Sequence, residues 1–155
     1  MPSAGFYSIH TNKLSFRRDG RWYADEEPIL HQRLARLFSR HLRRKPCGGY
    51  EIWIDERYHA DIEVEDTPYV VIGAEFDENG EVRIELNDGT TEMLRPGGLQ
   101  VGSGDVLYYC GVKDGRERAR FLRSAYYQLA PHIEETAPGQ FQLRCGKSTH
   151  PIAKC

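Results

Sequence analysis

No apolar run in this 155-residue chain approaches the length needed to cross a bilayer as a helix, and mean hydropathy is −0.63. The opening stretch MPSAGFYSIH has neither a basic n-region nor an apolar h-region, so no secretory signal is expected. Four cysteines (Cys47, Cys110, Cys145 and Cys155) stand far apart, with no CxxC and no zinc-like spacing. Scattered thiols without a leader point to a reducing compartment, and the expected location is cytoplasmic. The six histidines (His10, His31, His41, His59, His132 and His150) form no HExxH. Gly102-Ser103-Gly104 is not GxSxG and precedes a strand, so it is no nucleophile elbow. Gly97, Gly98, Gly102 and Gly104 lack the GK[ST] of a phosphate loop and a following helix. Cys47 lies beside Arg44 and Lys45, whose charge would favour a thiolate, but a plain loop thiol is the expectation. No cofactor is expected.

What is present is a globular composition, 39% hydrophobic and 28% charged, in a chain long enough to bury a core without disulfide or metal. Net charge is −2, but the charges are segregated. Residues 12–45 hold ten basic and four acidic side chains, residues 50–95 three basic and fourteen acidic, and residues 113–123 five basic and two acidic. Such blocks suit a polarised surface or faces that attract each other across the fold. A nucleic-acid partner is not expected, because such binders are usually basic overall.

Periodicity reads as α+β. LSFRR at 14–18, the DG pair at 19–20 and WYA at 22–24 read as a hairpin with a primed turn. Pro28 suits a first helical position, and ILHQRLARLFSRHLRRK behind it carries Leu30, Leu34, Leu37, Phe38 and Leu42 at helical spacing. Arg43, Arg44 and Lys45 would complement the end of that helix dipole, and Pro46 with two glycines would stop it. Strands follow at 50–54, 58–64, 69–76, 82–86, up to Leu94, and 105–112. A second helix is expected at about 116–132, with Leu122, Ala125, Tyr126 and Leu129 inward, then a strand at 141–145 and a frayed end. Within 58–64, Ala60, Ile62 and Val64 alternate with His59, Asp61 and Glu63.

Sliding the chain by 91 positions aligns the two helix–strand units. Leu42 meets Ile133, His41 meets His132, Tyr50 meets Phe141, Ile52 meets Leu143 and His59 meets His150. The expectation is two repeated motifs, each a single helix packed on a curved antiparallel sheet, over residues 1–67 and 68–155.

The runs FRRDGRWY, LFSRHLRR, YEIW and above all ADIEVEDTPYVV resemble a bacterial family, the domain of unknown function 1285. The likeness spans about residue 14 to residue 152. What it implies is a fold of two repeated motifs, each a helix partly wrapped by a half-barrel sheet, and a role in signal transduction without an assigned activity. It brings no catalytic residues.

The function expected is therefore a non-enzymatic binding or regulatory module. It would take a small molecule or protein partner through a groove between its halves. Arg17, Trp22, Tyr50, Glu65 and Asp66, drawn from the resembling motifs, are its candidate ligand-binding residues. The alternative is a metal-assisted hydrolase on the acidic strand, with His59, Asp61 and Glu63 as ligands helped by Glu65 or Asp66. Residues two apart on a strand lie about 6–7 Å from each other, however, so a solvated sheet face is the plainer reading. The helix arginines could grip oxyanions, or instead reach the acidic sheet. A third reading is an assembly subunit, a homodimer joined through strand edges.

Overall fold

The computed structural model describes residues 13–155, so His10 and the leader reading lie outside the described residues. The chain is α+β, mostly strand with a few short helices, and it divides into two compact units after Pro68.

The first unit runs β1 (Leu14–Phe16), β2 (Trp22–Ala24), β3 (Glu27–Pro28), α1 (Gln32–Arg40), β4 (Leu42–Arg44), β5 (Tyr50–Trp53) and β6 (His59–Val64). Its sheet has the order β3-β2-β1-β6-β5-β4, antiparallel except where β1 lies parallel to β6. The β1–β2 loop has Arg17 N donating to Arg21 O and Gly20 N to Arg17 O. Only Gly20 takes a positive φ, 80°, so this is a five-residue loop closed by glycine and not the expected two-residue primed turn. The same pair of bonds closes residues 45–49, 77–81 and 86–90. Phe16, Trp22 and Phe38 form an aromatic knot, with ring centroids 5.1 and 5.5 Å apart. The Trp22 indole donates to Ser39 Oγ at 2.9 Å, which ties α1 to the sheet and satisfies a polar group in the core.

Three expectations fail here. Pro28 does not start the helix; it pairs with Tyr23 at the sheet edge, where a missing N–H costs nothing. His31 caps α1 instead, its Nδ1 accepting from Leu34 N at 3.2 Å. The helix also ends at Arg40, five residues before Lys45, because Leu42, Arg43 and Arg44 pair with Ile52, Glu51 and Tyr50. Leu30, expected on the buried stripe, is 77% exposed.

The second unit runs β7 (Tyr69–Phe76), β8 (Val82–Leu86), β9 (Thr91–Met93), β10 (Leu99–Val101), β11 (Leu107–Gly111), β12 (Glu117–Phe121), α2 (Arg123–Leu129), β13 (Ile133–Ala137), β14 (Gln140–Cys145) and β15 (Ser148–Lys154). Single 3-10 turns lie at Pro96–Gly98, Ser103–Asp105 and Ala130–His132. The strands form a curled, half-barrel sheet of order β13-β14-β15-β10-β11-β12-β7-β8-β9. It is parallel at β10/β15 and β12/β7. A register shift between Val71 and Gly73 interrupts the β7/β8 ladder, and beyond the last β12 rung at Val71 the helix α2 takes over a backbone donor of β7: Gln128 Oε1 accepts from Ala74 N at 2.7 Å.

Four strands replace what the sequence offered as helix, loop or frayed end. β12 alternates, with Ala119 and Phe121 buried, although Arg and Ala favour helices. β10 and β13 are short. β15 contains Pro151, which argues against an interior strand. The ladder to β10 involves only Ala153 and Lys154, so Pro151 needs no donor on that side.

Each unit thus contains three strands, a helix and three strands, with the first strand parallel to the sixth; in the second unit β7–β9 extend the sheet beyond β12. Leu42 faces Ile52 and Ile133 faces Leu143, in the same register 91 positions apart. His59 and His150 do not correspond: His59 faces Trp53, whereas His150 faces Leu143, the counterpart of Ile52.

Candidate functional site

The expected site residues all fall in the first unit. Trp22 is in the core, 1% exposed, with its N–H bound to Ser39. Arg17 lies 4.0 Å over the Tyr23 ring and donates to Asp25 O and Glu26 Oε2. Glu65 Oε1 accepts from Arg18 N at 2.8 Å and from its Nε at 3.3 Å. Arg17 and Glu65 therefore come to neighbouring places, where the parallel strands β1 and β6 both end. The Tyr50 hydroxyl takes a bond from Arg44 at 2.8 Å, two rungs further along the sheet. Asp66 is half-buried just beyond Glu65.

On the solvent face of β6, each group has its own partner. His59 stacks on Trp53 at 4.5 Å, and Arg43 covers that ring at 4.3 Å. Asp61 pairs with Lys45 at 3.0 Å and Glu63 with Lys13 at 3.2 Å. The Asp61 bond pushes the Lys45 ammonium above its ordinary range. Among the described residues, no group of three or more His, Cys, Asp or Glu is placed to hold a metal ion. With Arg43 on Glu51, these pairs account for much of the charge segregation: the basic stretch meets the acidic one inside the first unit.

Concave space lies in the second unit. A cleft of about 860 Å³ opens between the β7–β8 loop and the β14–β15 hairpin. At one end Phe76 and His132 put their rings 3.9 Å apart. One wall is the loop of Asp77, Glu78 and Asn79; the Asp77 carboxylate accepts from Asn79 N at 2.8 Å and Glu81 N at 2.9 Å, which fixes the loop. The facing wall carries Arg144, Lys147 and Ser148. Arg144 is held by Glu134, whose carboxyl sits below its ordinary range because Gln142 and then Arg144 bond the charged form. Lys147 and Glu78 have no hydrogen-bond or ion-pair partner among the described residues.

The two hairpin tips touch backbone to backbone. A methyl group on Gly80 would fall on the Gly146 amide, and one on Gly146 would lie 2.9 Å from Asn79 O. Both glycines have positive φ, 80° and 60°. Beyond the junction lies a second cleft of about 380 Å³, which shares Asn79, Gly80, Cys145 and Ser148 and adds Met93, Leu94 and His150. Burial pushes the Cys145 thiol up, which favours its protonated form. The Ser148 hydroxyl donates to Cys145 O at 3.0 Å and lies 3.3 Å from His150 Nε2. The cleft thus combines a pair of packed rings with side chains of both charges. Sequence reasoning missed it because β7–β8 and β14–β15 are about 65 residues apart in the chain.

No family model and no curated protein matches the chain. Among solved structures, it is similar to a DUF1285 family protein from Silicibacter pomeroyi, with TM-score 0.70, 22% identity, and coverage of 99% of this chain and 90% of that one. A DUF1285 family protein from Shewanella baltica matches with TM-score 0.60, 17% identity, and coverage of 78% and 92%. The chain has the fold of these DUF1285 family proteins, as the sequence resemblance implied.

Proposed function

We propose that this chain is a non-enzymatic binding module of the signal-transduction type, working in the cytoplasm, and that its ligand site is the larger cleft of the second unit. The observation that carries the reading is that cleft. It is a hollow of ligand size whose walls are locked by a glycine–glycine contact, with the unpaired charges of Glu78 and Lys147 on facing tips. A catalytic role finds little support, since Cys145 is held as a thiol and the β6 carboxylates are paired with lysines. The two units are further proposed to be repeats of one motif. Support comes from their shared order of three strands, helix and three strands, from the parallel closure of first and sixth strands, and from the common register at Leu42/Ile52 and Ile133/Leu143.

The test is a thermal-shift screen of the full chain against amino acids, organic acids, nucleotides and sugar phosphates. A ligand at a hundred times its Kd stabilises by about 2.7 kcal/mol, which raises Tm by roughly several degrees in a chain of this size. The expected result is a hit that the Glu78→Ala/Lys147→Ala double variant loses. A screen whose hits all survive in that variant, or which has none, rejects the cleft as the site.

A further inference from the structure

We infer that the cleft takes a zwitterion, specifically a free α-amino acid with an aromatic side chain; this rests on the cleft being a binding site at all. The two tips carry opposite charge: Glu78 stands on the β7–β8 loop and Lys147 on the β14–β15 hairpin. The other charges are already engaged, Asp77 with the amides of its own loop and Arg144 with Glu134. The backbone contact of Gly80 with Gly146 brings the two tips together, and both free charges line the same hollow. A simple anion entering there would satisfy Lys147 but be repelled by Glu78, and a simple cation would meet the converse. A ligand bearing an ammonium and a carboxylate meets both at once. The Phe76 and His132 rings at the end of the same hollow offer a flat apolar and polarisable surface for a ring on the ligand. The volume of about 860 Å³ accommodates a molecule of that size with room for bridging water.

The experiment is calorimetric titration of the full chain with L-phenylalanine, with 3-phenylpropionate, which lacks the ammonium, and with 2-phenylethylamine, which lacks the carboxylate. Phenylalanine is expected to bind at least about tenfold more tightly than either, the equivalent of about 1.4 kcal/mol. Glu78→Gln should abolish the preference over phenylpropionate and Lys147→Gln the preference over phenylethylamine, with the unliganded Tm of both unchanged because the sites are exposed tips. Binding of phenylpropionate as tight as that of phenylalanine overturns the inference, as does failure of all three to bind. In either case the cleft reading survives if another compound from the screen binds in a Glu78- and Lys147-dependent way, and it falls with the inference if none does.

Discussion

Among individual residues, Asp88 is a buried carboxylate of the second unit. It is 5% exposed, and its carboxylate accepts from Lys113 Nζ at 2.8 Å and from the Thr90 hydroxyl and amide at 2.6 and 2.9 Å. Burial alone would raise its pKa; the bonds from Lys113 and Thr90 outweigh that and hold it below its ordinary value. Lys113 reaches Asp88 from a turn, Val112–Gly115, in which Lys113, Asp114 and Gly115 all have positive φ, a left-handed run that costs about 1 kcal/mol or more at each non-glycine position. The Lys113 amide is anchored on Glu92 at 3.0 Å. A carboxylate with a lowered folded pKa contributes stability above its unfolded pKa of about 3.9 and loses it as pH falls through the folded value. Asp88→Asn should therefore cost about 2 kcal/mol at pH 7, and urea titrations should find that gap shrinking steadily below about pH 4. A gap that stays constant down to pH 2.5 would sink the assignment. None of this was legible in the sequence, where KDG at 113–115 reads as an ordinary turn and Asp88 as a hairpin residue; the pairing is made by tertiary structure across 25 positions.

The elements show where reading from sequence succeeds. A strand with clean alternation, β8 above all, has the bounds its pattern gives, because a period of two survives any tertiary context. Both helices are shorter than expected for one reason. Their C-terminal or N-terminal neighbours, LRR at 42–44 and ERARF at 117–121, have high helix propensity but find a ladder partner, and pairing outweighs a few tenths of a kcal/mol per residue. The cleft was not legible, because hairpin tips meet by packing that no local pattern records. That meeting can be measured. Gly80 and Gly115 have nearly equal φ, 80° and 82°, but a methyl group at Gly115 meets nothing within 4 Å while one at Gly80 strikes the Gly146 backbone. Gly115→Ala should cost about 1 kcal/mol for backbone strain, and Gly80→Ala at least about 2 kcal/mol. Equal losses in urea denaturation would mean the tips do not touch.

Across the whole molecule, a net charge of −2 conceals an internal balance. Among the described residues, ion pairs in the first unit (Lys13 with Glu63, Arg17 with Glu26, Arg18 with Glu65, Arg43 with Glu51, Lys45 with Asp61) join the basic stretch to acidic partners. Surface pairs of this kind add little individually, and their larger effect is to disfavour wrong strand registers, in which like charges would face each other. Reversing one member, Lys45→Asp or Asp61→Lys, should lower the urea midpoint, and the double exchange should restore it. A double variant no better than its worse parent would show that the charges act independently. Among the described residues, no helix is long and apolar enough to cross a membrane.

The parallel closure of the sheets has a consequence for synthesis on the ribosome. β10 meets its parallel neighbour only when residues 153 and 154 have been made, so one side of the strand waits through about fifty codons. At roughly ten residues per second, that is about five seconds with an open edge. The first unit imposes a similar delay between β1 and β6. In both, the nascent chain is a meander with an unsealed seam, and chaperones or neighbouring polysomal chains have those seconds in which to find it.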